Sequence, residues 1–175
     1  MQALGFLLEL APDPHSKFQQ EEKLLSMPVH PDARALHAFW KERKGFLVVG
    51  EDIPSRRLAR HLPHLALFDY RPARNDFRIR LAGFALIRRF GRDVSRHNLA
   101  EVLSGEDYER CRCALMEVRD SGKPLFVDVR LRMADKPLLH FEMQALRVLA
   151  ADRLTPLVLM GLFYYNAQKR TRLNA

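Results

Sequence analysis

Between residues 125 and 145 the chain alternates apolar and polar side chains with a period of two, in two successive stretches. Leu125, Val127, Val129, Leu131 and Met133 interleave with Phe126, Asp128, Arg130 and Arg132; after a turn at 134–136, Leu139, Phe141, Met143 and Ala145 interleave with His140, Glu142 and Gln144. A period of two marks a half-buried strand. Two such strands joined by a short turn pair antiparallel. A lone hairpin does not hold in water, so the rest of the chain must supply more strands and a layer to cover the apolar face. This pattern predicts an α+β domain before any other residue is read.

The remaining chain supplies both. Over 31–44 the spacing predicts a helix: Pro31 and Asp32 suit a first turn, and Leu36, Phe39 and Trp40 form one apolar stripe before Gly45 ends it. Ser55 can cap a short helix that Pro63 closes. Residues 65–70 read as a strand, 72–76 as a turn, and Phe77, Ile79 and Leu81 alternate with Arg78 and Arg80 in a second strand. A short helix is expected over 83–90, loop and a helical turn over 93–103, and a long helix over 106–119 with Tyr108, Cys111, Leu115 and Val118 on one face. The last strand is 156–165. The expected architecture is α+β: a five-stranded antiparallel sheet covered on one face by short helices and one longer connecting helix, with an N-terminal helix outside the core. Residues 1–30 form an extension, broken at 11–14 and 27–31, whose polar middle reads as a loose helix. Residues 31–166 form a single domain (flanking helix 31–45, core 65–165), and 167–175 a polar tail.

Charge and cysteines narrow the function classes. There are 29 Lys+Arg against 21 Asp+Glu, a net charge of +8, which attracts nucleic acid or other anionic partners. The arginines are scattered and no helix-turn-helix or zinc-finger pattern accompanies them, so a solvated surface is the expectation and nucleic acid is not an expected partner. The alternative is an anionic-surface binder using Arg78, Arg80, Arg130 and Arg132. Cys111 and Cys113, two residues apart, suit neither a disulfide nor a common zinc site, which points to a reducing, cytoplasmic setting. No apolar run approaches the ~18 residues of a membrane span, and 1–10 lacks the basic flank and cleavage site of a secretory signal.

Four short stretches then occur in one order: Asp52-Ile53-Pro54; Leu62-Pro63-His64-Leu65-Ala66-Leu67-Phe68-Asp69; Phe77-Arg78-Ile79-Arg80-Leu81-Ala82-Gly83; and Gly91-Arg92-Asp93-Val94-Ser95, with Phe39-Trp40 ahead of them. Over about 35–165 the chain resembles the small stand-alone PAS-domain family of bacteria. It departs from that pattern at 46–50, at Phe84 after Gly83, and at Ser95-Arg96. The resemblance implies a signal-input or protein-interaction domain, with no catalytic residues to transfer. It also implies that a helix placed like 31–45 lies on the outer sheet face and builds a homodimer.

Alternation assigns the inward-facing residues. Phe77, Ile79, Leu81, Phe84, Ile87, Phe90, Val127, Val129, Phe141, Met143, Leu159 and Gly161 line either a ligand cavity between sheet and helices or an ordinary filled core. A glycine in mid-strand at 161 leaves room for a ligand or marks a bulge. Leu36, Phe39, Trp40, Val158, Met160, Leu162 and Tyr164 form the expected dimer or partner face. No Gly-x-Ser-x-Gly, phosphate-cradling loop or His-Glu-x-x-His is present, and Asp128, His140 and Glu142 fall on the face away from the cavity, so neither an enzyme nor a metal site is expected. A small cone-like α+β enzyme would need those groups inside. A non-covalent haem would need His64 or His97; no cofactor is expected beyond an unidentified small apolar ligand. The resulting expectation is a regulatory module acting by ligand-dependent or constitutive contact with itself or another regulatory protein.

Overall fold

The computed structural model describes residues 18–133 and 138–165. The features expected at 1–17, in the 134–136 turn and in the 167–175 tail lie outside the described residues, as does the side chain of Phe90. The elements run β1 (Phe18–Leu24), α1 (Pro31–Glu42), β2 (Leu65–Arg71), β3 (Asp76–Ala82), α2 (Phe84–Phe90), α3 (Leu99–Val102), α4 (Gly105–Ser121), β4 (Leu125–Met133), β5 (Leu139–Leu149) and β6 (Pro156–Tyr164). They build one sheet in the order β1-β4-β5-β6-β2-β3, every neighbouring pair antiparallel.

The sheet has six strands rather than five. The sixth is β1, in the part of the extension read as a loose helix. Its Gln, Glu and Lys residues favour helix in isolation, but the exposed edge of β4 offers a row of unpaired backbone groups. The register sets Glu21 opposite Arg130 and Lys23 opposite Asp128, so opposite charges face one another along the new edge.

Both faces of the sheet are covered. On one, α2, α3 and α4 enclose a core that includes Phe68, Phe77, Ile79, Cys111, Leu115, Val118, Val129, Phe141 and Met143. On the other, α1 lies outside this core, as expected, and builds a second one. There Ala33, Leu36, Phe39 and Trp40 pack with Leu47, Ile53, Phe126, Leu146, Leu159 and Phe163. Trp40 Nε1–H donates to the Arg147 carbonyl at 2.8 Å, tying the helix to the end of β5.

Two face assignments are corrected. In β6, Val158, Met160 and Leu162 point into the helix-covered core, whereas Leu159 packs on the α1 side. Gly161 takes the same side, since a Cβ there would meet the Phe163 ring at 2.7 Å and Leu65 Cδ2 at 3.2 Å. The expected phase was the reverse. In β3, the pairing with β2 shifts between Leu67 and Phe68, setting Leu67 opposite Leu81 and Phe68 opposite Ile79. Arg80 is the extra residue of a bulge, and beyond it Leu81 faces the α1 side instead of the helix-covered core. Glu142, expected on the face turned away from the cavity toward solvent or a partner, is fully buried.

Candidate functional site

The family-like stretches hold the chain together across the sheet. Asp52 Oδ2 accepts the Val48 N–H at 3.0 Å, and its Oδ1 lies 3.1 Å from Arg43; this closes the 48–53 loop, in which Gly50 has φ +95°. Asp69 and Arg78 form a two-pronged ion pair of 3.1 and 2.7 Å across β2 and β3. Asp93 Oδ1 accepts the Ser95 N–H, and Ser95 Oγ accepts the Ala82 N–H, returning that loop to the end of β3. Gly83 is required by packing: a Cβ there would sit 2.3 Å from the Leu62 carbonyl oxygen. The side chains of Asp52, Asp69 and Asp93 are thus spoken for by local structure.

The chemistry collects on the α1 side. Glu142 accepts the N–H groups of Val29 (3.1 and 3.0 Å) and His30 (2.7 Å) and the Tyr165 hydroxyl (3.2 Å). Its carboxylate therefore lies just ahead of the positive end of α1. His30 caps α1: its Nδ1 accepts the Asp32 N–H at 3.1 Å, and its Nε2 lies 3.3 Å from the Tyr164 carbonyl. Three imidazoles surround Phe163, with centroids at 5.7 Å for His30, 6.0 Å for His61 and 6.3 Å for His64. His37 stacks on Trp40 and meets Phe126 edge-on. His140 lies flat on Tyr165 at 4.1 Å, its Nε2 2.6 Å from Asp128 Oδ1. Burial holds His37 and His61 below the ordinary imidazole range; Lys41 adds to this at His37, and at His61 burial prevails over the pull of Asp32. Burial and the Glu142 carboxylate push the Tyr165 phenol up.

Sequence reasoning placed Asp128, His140 and Glu142 on this face and missed that they are linked there, Asp128 to His140, His140 to the Tyr165 ring and the Tyr165 hydroxyl to Glu142. The only sequence signal available was the density of histidines around 30–37 and 61–64. Of the two haem candidates, His64 packs against Phe163 and His97 is exposed; they do not come together. Leu36, Phe39, Trp40, Val158, Met160 and Leu162 are buried within the chain, and Tyr164 is half-buried with Arg89 over its ring at 4.8 Å. Phe77, Ile79, Val127, Val129, Phe141 and Met143 do come together beneath the helices, and Ile87 is half-buried. Leu81 and Phe84 are exposed. Of the arginine rows, Arg78 is paired with Asp69 and Arg130 with Asp128 at 3.3 Å, while Arg80 and Arg132 are exposed. Among the described residues no group of three or more His, Cys, Asp or Glu is placed to hold a metal ion, and no helix is long and apolar enough to cross a membrane.

Burial also settles the chemistry of the cysteines. Cys111 is buried in α4 and its thiol is pushed up from 9.0 to about 12 by desolvation, with Asp76 and Asp107 adding to it; Cys113 is exposed. A shift of that size cuts the thiolate population by roughly a thousandfold. A thiol reagent at pH 8 should therefore label Cys113 in the native protein and Cys111 only on unfolding. Two thiols labelled at equal rates would contradict this packing.

An antiparallel sheet clasped on one face by a set of short helices and a longer one, and crossed on the other by a preceding helix, defines a sheet-and-cap α+β domain. The family model described as a PAS domain matches residues 28–164, and the chain belongs to that family. No curated protein and no solved structure gives a match. PAS domains are generally sensory or regulatory, non-enzymatic modules, and commonly mediate protein–protein contact and dimerisation.

Proposed function

We propose that this chain is a regulatory module that passes its signal by protein contact, in the cytoplasm and without a reaction of its own, and that α1 is the element that responds. The observation supporting this is the way α1 is fastened. Its apolar stripe is buried on the sheet, yet its N-terminal end is held by ionisable groups, namely the His30 cap, the Glu142 carboxylate under Val29 and His30, and the buried His61 beside Asp32, with the buried His37 midway along the helix. A helix attached in this way opens separately from the sheet when a partner or a proton competes for those groups. Self-association belongs to the same reading. Leu36, Phe39 and Trp40 are already buried within one chain, so a homodimer through them requires α1 to lift, and either a second copy or another regulatory protein takes its place.

Hydrogen exchange tests this. Amides of α1 should exchange through an opening of lower free energy than those of β5 and β6. Acid should ease that opening. His37 and His61 have folded-state values below the usual 6.5, so the opened state binds protons first; docking is at full strength above about pH 6.5 and weakens as pH falls below it. The charged and titratable groups facing them are Asp32, Lys41, Arg60, His30 and His64. Of these, Asp32 opposes the trend at His61. At pH 7.5 and 5.5, after correction for intrinsic rates, the gap between α1 and β5 should widen in acid. Exchange of α1 only together with the whole sheet at both pH values would rule the reading out.

A further inference from the structure

The second face of the sheet is covered unevenly. α1 packs over β5 and β6, and beside β2 and the end of β3 the 49–54 loop and Leu62 stand over the sheet. Between them lies a half-open cavity of about 390 Å³ whose walls include Val49, Ile53, Leu62, Leu67, Leu81 and Leu159. All twelve residues around it are aliphatic, glycine or proline. It exists because of the two features that sequence alternation did not show: the bulge that turns Leu81 to this side and the phase of β6 that places Leu159 beneath it. No lining side chain can donate or accept a hydrogen bond and none is aromatic, so nothing in the walls would orient a polar heterocycle or stack on a ring. At about 30 Å³ per small group, the volume takes roughly a dozen heavy atoms. Of the lining residues, Leu81 is 59% exposed and stands at the open side. Arg80 precedes Leu81, so its Cα lies about 3.8 Å along the chain from that wall; it is exposed and pairs with no described residue, which leaves a positive charge within side-chain reach of an anionic head emerging beside Leu81.

We propose that this cavity binds the saturated acyl chain of a free fatty acid, with roughly ten to twelve carbons inside and the carboxylate at the Arg80 side of the mouth. The site is separate from the helix-covered core, and its occupancy does not depend on the regulatory reading above.

The test is a titration of the full chain, carbon-13 labelled at Ile, Leu and Val methyl groups, with sodium decanoate below its micelle concentration. Saturable shifts are expected at the methyls of Val49, Ile53, Leu62, Leu67, Leu81 and Leu159. Leu81→Trp, a change at an exposed position that fills the mouth, should weaken binding by roughly tenfold or more, while Leu154→Trp, at an exposed position outside the lining, should keep it within roughly threefold. Three results would overturn the proposal: no saturable shift; shifts centred on Leu86, Val94 and Leu115, which lie under the helices; or contacts from the Phe6 ring to the cavity methyls in the free protein, which would assign the cavity to the chain's own apolar start. None of these results changes the exchange behaviour of α1, so the two readings fail separately.

Discussion

Replacing Glu142 by Leu is expected to destabilise the protein by about 3 kcal/mol, because the loss of one acceptor leaves one buried and two part-buried donors without a partner. The carboxylate is 0% exposed and receives the N–H groups of Val29 and His30 and the hydroxyl of Tyr165. Each buried donor left unmade costs about 1–3 kcal/mol, and removing a charge from the interior returns part of that. The damage should be local in character. The backbone ahead of α1 loses its anchor, so α1 exchange should quicken more than sheet exchange. Urea unfolding measures the size, as a lower midpoint at unchanged slope. A loss under about 1 kcal/mol would show that those N–H groups find other partners, and would remove Glu142 as the fastening of α1.

Phe163→Ala should cost more, about 3–5 kcal/mol, the range for truncating a fully buried aromatic ring. The ring is 2% exposed and occupies the space left by the missing side chain of Gly161. It is also the shared wall of His30, His61 and His64. The variant is therefore expected to move the imidazole resonances of all three histidines together, which a loss of volume elsewhere in the core would not do. Movement of one histidine alone would mean that the three do not share this surface.

How much of this was legible follows from where polar residues interrupt apolar ones. β4 and β5 were readable because Asp128, Arg130, His140 and Glu142 mark one face on every second residue. α4 was readable from its acidic start and the spacing of Cys111, Leu115 and Val118. β6 has no such marker. Its nine residues, Pro-Leu-Val-Leu-Met-Gly-Leu-Phe-Tyr, are apolar on both sides because both sides are covered, and a strand buried on two faces carries no phase in its own sequence. The bulge at Arg80 was hidden for a related reason: an uninterrupted alternation in one strand does not show which residues its partner skips.

The candidate site divides along the same line. The histidines and the carboxylates were visible as residues, but their convergence was not, since Glu142 is joined to Val29 and His30 over more than a hundred positions of chain. By itself, the sequence determined the α+β class, the order of helices and strands from α1 onward and the family, because these rest on periodicity and short-range turn chemistry that neighbouring residues carry. Only the tertiary structure decided that β1 joins the sheet, which face of β6 meets which core, that Glu142 is buried, and where the aliphatic cavity opens. Each of those depends on which surface a distant segment covers, and burial is a property of the pair of surfaces rather than of either segment alone.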